Sequence, residues 1–183
     1  MTGLTPQTED IPRRLPWFRI ADPAWVNPLD TRYAEEHGGR WNSPGSHPTL
    51  YLCEDTATAA AQIARLLDGT PVHPEDLRDD AFLLIPVTLP SAITAADAHT
   101  PMGLRALGLP DTYPVTQAGQ LVPQATCQPI GDECARQHLR GVHARSATSG
   151  ARPENRELAW YPQSGERAHP ALPMPYALWR NAR

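Results

Sequence analysis

Arg19, Arg40, Tyr51 and Gln62 are the side chains of this chain whose types suit an anionic, sugar-bearing ligand. A guanidinium offers a planar fork of donors that matches phosphate oxygens, so two arginines can grip the phosphates of a dinucleotide. A phenol can stack on a planar base or hydrogen-bond to a ribose, and a polar side chain on a neighbouring helix can reach the sugar. Arg40 lies in His37-Gly38-Gly39-Arg40-Trp41-Asn42-Ser43-Pro44-Gly45, followed six residues later by Tyr51-Leu52. The glycine pair lets the backbone take unusual conformations and lets other groups come close. Each residue taken singly has an ordinary structural use: Arg19 in a surface ion pair, Tyr51 in the core, Gln62 as a satisfied buried amide.

These residues need elements to hold them. Trp17-Phe18-Arg19-Ile20 reads as a short strand carrying Arg19, and Thr49 to Leu52 as another that carries Tyr51. Asp55 or Thr56 caps a helix that runs to about Leu67, stopped by Asp68-Gly69. Ala59, Ile63 and Leu66 recur on it at three- and four-residue steps, and Gln62 falls in the same stripe. Ala81 to Leu89 reads as a central strand, Ile130 to Leu139 as a short helix ended by Gly141, and Val142–Arg145 and Glu157–Tyr161 as strands. A polar loop with Ser146 and Ser149 separates that last pair. Residues 1–16 read as a flexible arm and residues 17–183 as one compact α+β domain with more strand than helix, its tail packing back through Tyr176 to Trp179.

At 183 residues the chain can bury a core without disulfides or metal. All 16 basic residues are arginine, and the formal charge of −4 argues against a nucleic-acid module, which presents a basic face. Three cysteines, no secretory leader and no apolar run of membrane length point to the cytoplasm.

Rival chemistries are weaker. Cys127, Cys134, His138 and His143 have spacings loosely compatible with zinc, but a helical stripe wants Cys134 in the core, so no metal site is expected. No glycine-flanked nucleophile elbow surrounds Ser146. Cys53 reads as a small core residue. Glu54, just past the strand, is either a spare carboxylate for the site or a solvated residue.

Phe18-Arg19-Ile20, Gly38-Gly39-Arg40-Trp41-Asn42, Leu50-Tyr51-Leu52, an alanine-rich helix, Gln128-Pro129-Ile130-Gly131-Asp132 and Arg145-Ser146-Ala147 together resemble the RES domain family. The resemblance implies an ADP-ribosyltransferase-like fold, two small β-sheets with helices around a cleft for NAD. It also implies an NAD-consuming toxin of a bacterial toxin–antitoxin pair, acting by phosphorolysis, hydrolysis or ADP-ribosyl transfer, with an Xre-type helix-turn-helix antitoxin as partner. Carried over, the family arginines fall on Arg19 and Arg40 and the tyrosine on Tyr51, with Arg19 and Arg40 on the pyrophosphate. The family glutamate position is Gln62. The family serine falls on Ser146, with Thr126 as a second candidate that would contact NAD. An amide at 62 keeps hydrogen bonds and loses the charge that stabilises an oxocarbenium-like sugar. Either the enzyme is weakened, or the domain is a non-catalytic module that binds a nucleotide or a partner protein, or the glutamine is an inactivating substitution.

Overall fold

The computed structural model describes residues 3–13, 15–148 and 152–182. In chain order the elements are β1 (Thr8–Ile11), β2 (Trp17–Ala21), α1 (Arg32–His37), β3 (Leu50–Cys53), α2 (Thr56–Leu66), β4 (Leu83–Thr88), β5 (Ile93–Ala98), α3 (Pro101–Ala106), α4 (Gln124–Arg136), β6 (Gly141–Arg145), β7 (Arg156–Trp160), β8 (His169–Pro170) and β9 (Met174–Pro175). The strands follow the order β1-β5-β6-β7-β3-β2-β4-β8, with β9 also on β4. Among the described strand pairs only β5–β6 is parallel. No helix among the described residues is long and apolar enough to cross a membrane.

In place of the expected pair of small sheets, the described strands form one nine-stranded sheet with a weak join between two halves. β2 and β3 share a single register pair, Phe18 opposite Cys53, whereas β2–β4 and β3–β7 are paired along their lengths. The seam lets the β2-β4 half fold over the larger β1-β5-β6-β7-β3 half. Trp17, Ile85 and Val87 from the first half bury against Leu50, Leu52, Leu158, Trp160 and Ile93 from the second. The outer face of the larger half is covered by α3 and α4, through Leu104, Leu107, Cys127 and Cys134 against Ala96, Ala98, Val142, Ala144 and Ala159. α2 closes the seam from outside, with Ala59 and Ile63 on Cys53 and Leu84 and the tail's Tyr176 and Trp179 behind them.

Several elements depart from expectation. Residues 8–11, assigned to the flexible arm, form β1, aligned with β5 over four pairs from Thr8–Ala96 to Ile11–Ile93. Met1, Thr2 and Arg14 of that arm, and Ser149 of the later loop, lie outside the described residues. Leu66 is 64% exposed, so the buried stripe of α2 runs through Thr58, Ala59 and Ile63 instead. α4 starts at Gln124, before Pro129; an interior proline loses one helical hydrogen bond and crowds a carbonyl of the preceding turn, and burial of Cys127, Gly131 and Cys134 holds the helix through it. The left-handed residue after α4 is His138, at φ 64°. Gly141 opens β6, where a Cβ would stand 2.5 Å from the Ala159 carbonyl oxygen.

The cap of α2 is as read: the Asp55 side chain accepts from Thr58 N at 2.7 Å. Asp55→Ala is expected to cost about 1 kcal/mol, or roughly 2 to 4 °C in melting temperature for a domain of this size. An unchanged midpoint in thermal unfolding would show that the cap contributes nothing.

Candidate active site at the outer face of the sheet

Residue alternation on β3, β6 and β7 sorts side chains onto two faces. Cys53 pairs with Glu157 and Tyr51 with Ala159, and Ala144 pairs with Glu157. Tyr51, Cys53, Ala144, Glu157 and Ala159 therefore share the outer face, with Tyr51 and Glu157 as diagonal neighbours. Burial pushes the Tyr51 phenol well above its ordinary value, and the nearby Glu157 carboxylate adds to the shift.

The glycine-arginine loop is built on Tyr51. Its hydroxyl accepts from Trp41 N at 2.9 Å and donates to Asn42 Oδ1 at 2.8 Å, and Asn42 Nδ2 donates to Ala34 O. The two glycines serve different needs. Gly38 has φ 76°, in the left-handed region. Gly39 lies flush on the Tyr51 ring, where a Cβ would stand 2.6 Å from Cε2 and Cζ. Tyr51→Phe strands the Trp41 N–H and the Asn42 carbonyl, both buried. A loss of about 2 kcal/mol and a midpoint roughly 4 to 8 °C lower are expected in thermal unfolding, and a midpoint equal to the parent's would exclude this role.

The Gln128-to-Asp132 motif holds the loop from above. Gln128 Nε2 donates to Gly39 O at 3.0 Å, and Asp132 Oδ1 accepts from Ser43 N at 3.0 Å. Between them Gly131 lets α4 approach the Trp41 carbonyl, whose carbon would be 2.6 Å from a Cβ. Tyr161 Oη donates to the Trp41 oxygen.

The two arginines are anchored on backbone carbonyls. Arg40 Nη1 donates to Val122 O at 2.8 Å and approaches Cys127 Sγ at 3.8 Å, leaving Nε and Nη2 without a partner among the described residues. Its charge reaches Tyr51 and Tyr113. Tyr113 is buried, and its hydroxyl has no hydrogen bond among the described residues. Arg19 fills the seam: Nη1 donates to Tyr51 O at 3.1 Å, Nε to Pro28 O at 3.3 Å, and its guanidinium stacks 5.6 Å from the Trp25 ring. Burial lowers its pKa from the ordinary arginine value.

Ser146 is 1% exposed. Its hydroxyl donates to Glu157 Oε1 and meets Thr148 Oγ1 at 2.9 Å. Asn155 links this corner to α2, with its carbonyl accepting from Ser146 N and its Nδ2 donating to Thr58 Oγ1 at 3.2 Å. Gln62 lies one turn beyond Thr58 on the same side of α2, half-buried, with no side-chain hydrogen bond among the described residues. Thr126 is exposed in the first turn of α4, whereas its neighbour Cys127 is the residue beside Arg40. The structure thus gathers Arg40, Tyr51, Tyr113, Glu157 and Ser146, sets Arg19 at the adjoining seam, and leaves Thr126 on the surface.

Glu157 is the residue that sequence reading missed. Its signal was present: a carboxylate at the start of an apolar strand, in register with Ala159 and Tyr161 on one face while Leu158 and Trp160 take the other. Glu54 takes the opposite face, with its Oε2 3.6 Å from His143 Nε2 and 3.9 Å from Arg156 Nε, so it is no spare carboxylate for this site. The loosely spaced zinc set is also dispersed, since Cys127 and Cys134 are buried on α4 while His143 lies on the inner face. Two open clefts, of about 390 and 200 Å³, are lined by residues such as Asn27, Trp160 and Arg167, and His47, Arg140 and Tyr161. Neither includes Arg19, Arg40, Tyr51, Gln62 or Ser146.

A sheet parted at the β2–β3 seam with helices on its outer face is consistent with the expected ADP-ribosyltransferase-like fold. The chain belongs to the RES domain family, whose family model matches residues 16–178. It is similar to the NAD(+) phosphorylase MbcT of Mycobacterium bovis and of Mycobacterium tuberculosis, with 26% identity over 111 residues, 60% of this chain and 55% of the relative. The match therefore spans about half the length of those proteins. Among solved structures, a chain of the M. tuberculosis MbcT–MbcA toxin–antitoxin complex superimposes with a TM-score of 0.71 over 93% of this chain and 91% of that one. At 20% identity this likeness concerns the fold.

Proposed function

We propose that this chain is a cytoplasmic toxin that cleaves NAD at the nicotinamide–ribose bond, with phosphate as acceptor, and that an antitoxin of the Xre helix-turn-helix type restrains it. The carrying observation is the Ser146–Glu157 pair on the same sheet face as Tyr51, beneath the Arg40 loop. The similarity to an NAD(+) phosphorylase supports the reaction, and the likeness to one chain of a toxin–antitoxin complex supports the partner.

In this reading Arg40 binds the pyrophosphate through Nε and Nη2, Arg19 shapes the seam beside it, and the Tyr51 ring orients the nicotinamide ribose. The glycosidic C1′–N bond breaks with its electron pair going to the nicotinamide ring, which becomes neutral. A phosphate oxygen bonds to C1′ and its proton leaves to solvent. Between these events the sugar has oxocarbenium character, and a fixed carboxylate at van der Waals range stabilises that charge. Glu157 supplies the carboxylate that Gln62 lacks, and Ser146 fixes its orientation, while Gln62 bonds ribose hydroxyls.

The test is nicotinamide release from NAD by the purified chain, with and without inorganic phosphate. Release that rises with phosphate and yields a phosphorylated ADP-ribose carries the proposal. No release with either acceptor leaves the second reading, a nucleotide- or partner-binding module. That reading is favoured by Gln62 and by the arginines' bonds to backbone carbonyls.

A further inference from the structure

On the inner face of the sheet, apart from the cluster above, three side chains from adjacent strands converge. Glu9 of β1, His99 just past β5 and His143 of β6 bring an oxygen and two nitrogens within 4.8 Å of one another. Glu9 Oε1 lies 3.0 Å from His99 Nε2 and 2.8 Å from His143 Nδ1. His143 is 4% exposed, and its Nε2 has no hydrogen bond among the described residues. The nearest carboxylate to that nitrogen is Glu54, at 3.6 Å. Asp97 Oδ1 stands 3.6 Å from His99 Nε2. Three carboxylates thus crowd two imidazoles, and the guanidinium paired with them among the described residues is Arg156, 3.9 Å from Glu54.

We propose that Glu9, His99 and His143 form a binding site for a divalent transition metal, with zinc the best match. Two imidazole nitrogens and one carboxylate oxygen are a donor set that zinc takes with a fourth position open. Zinc–ligand bonds of about 2.0 to 2.2 Å in a tetrahedron place donor atoms roughly 3.3 Å apart. The distances of 2.8 and 3.0 Å fall short of this by a few tenths of an ångström, within reach of small ring rotations. Glu54, 3.6 Å away, stands where an outer carboxylate accepts the Nε2–H of His143, which leaves Nδ1 without its proton and free for the metal. Bound there, the ion fastens β1 to the sheet it edges. The site lies on the face opposite Tyr51 and Glu157, so it is independent of the NAD reading.

The experiment uses the full chain, stripped with EDTA and then titrated with zinc chloride by calorimetry, with cobalt(II) chloride as the visible-absorption probe. One zinc per chain is expected, with a cobalt spectrum of tetrahedral intensity. Glu9→Gln and His99→Ala should each weaken zinc binding by about a hundredfold or more, and Glu54→Gln by about tenfold. Glu9→Gln keeps the size and hydrogen-bonding oxygen of the side chain, and circular dichroism verifies that each variant is folded. Binding well below one equivalent in the parent overturns the proposal. So does parent-like zinc affinity in both Glu9→Gln and His99→Ala, which would place the ion elsewhere, for instance on a cysteine thiol. Nicotinamide release is read separately and decides neither outcome.

Discussion

Glu157→Gln is expected to slow nicotinamide release about a hundredfold to a thousandfold, the loss of about 3 to 4 kcal/mol that removal of one preorganised electrostatic stabiliser produces. The amide keeps the shape and can still take the Ser146 hydroxyl's hydrogen bond, so the melting temperature should move little while the rate falls. The fall belongs to kcat, because the carboxylate acts on charge that develops after binding. Single-turnover measurement of nicotinamide release checks it, and a rate within threefold of the parent would remove Glu157 from the chemistry. The companion variant Gln62→Glu sharpens the comparison. A glutamate there adds a carboxylate from α2 on the side of Thr58 and Asn155. If it restores turnover to Glu157→Gln, the two positions serve one sugar from opposite walls. If it restores none, the charge acts from β7 alone.

Gly131→Ala should be the most destabilising single methyl in the molecule's outer layer. Its Cβ would meet the Trp41 carbonyl and come within 2.9 Å of Tyr161 Oη, and a backbone oxygen cannot swing aside as a side-chain end can. Overpacking of this kind costs about 1 to 3 kcal/mol, with the upper part of that range expected here. For a domain of this size that is a drop of roughly 6 to 12 °C in melting temperature. Because α4 is what holds the Gly39 carbonyl and Ser43, the same substitution should loosen the loop that carries Arg40. Hydrogen exchange at Ser43 N would report it. A melting point within 2 °C of the parent would mean that helix and loop are farther apart than described.

The roles of the motif residues now have separate physical causes. Gly38 turns the chain, Gly39 admits the Tyr51 ring, Asn42 fixes the loop to α1 through Ala34, and Gln128, Gly131 and Asp132 clamp it from α4. Arg40 is held by one nitrogen and presents the others, a way to keep a guanidinium oriented before an anion arrives. Arg19 sits where β2 and β3 part, and supplies the hydrogen bond to Tyr51 O that a neighbouring strand would otherwise provide. Deleting its side chain therefore opens the seam as well as removing a charge.

Local signals carried far. The strand at Trp17, the strand holding Tyr51, the Asp55-capped helix and the strand at Glu157 are legible because alternation, helical spacing and capping act over a few residues. So is the family, since its marks are short blocks with fixed spacing. Residues 8–11 were not legible as a strand, because β1 has little apolar pattern of its own and exists through its pairing with β5. α4 reads from its apolar spacing as starting at Ile130, whereas packing of Cys127, Gly131 and Cys134 carries the helix back through Pro129 to Gln124.

Residue type and spacing by themselves determined the α+β class and the candidates Arg19, Arg40, Tyr51 and Gln62, and short motif blocks carried the RES resemblance that pointed to Ser146. Only the tertiary structure decided that Ser146 meets Glu157, that Glu54 faces away, that Thr126 stays on the surface, and that Glu9 joins two histidines 90 and 134 positions further along the chain. The reason is the two-residue period of a strand combined with its register. Which carboxylate shares a face with which partner depends on strand pairings set by long-range packing, and no local pattern encodes them.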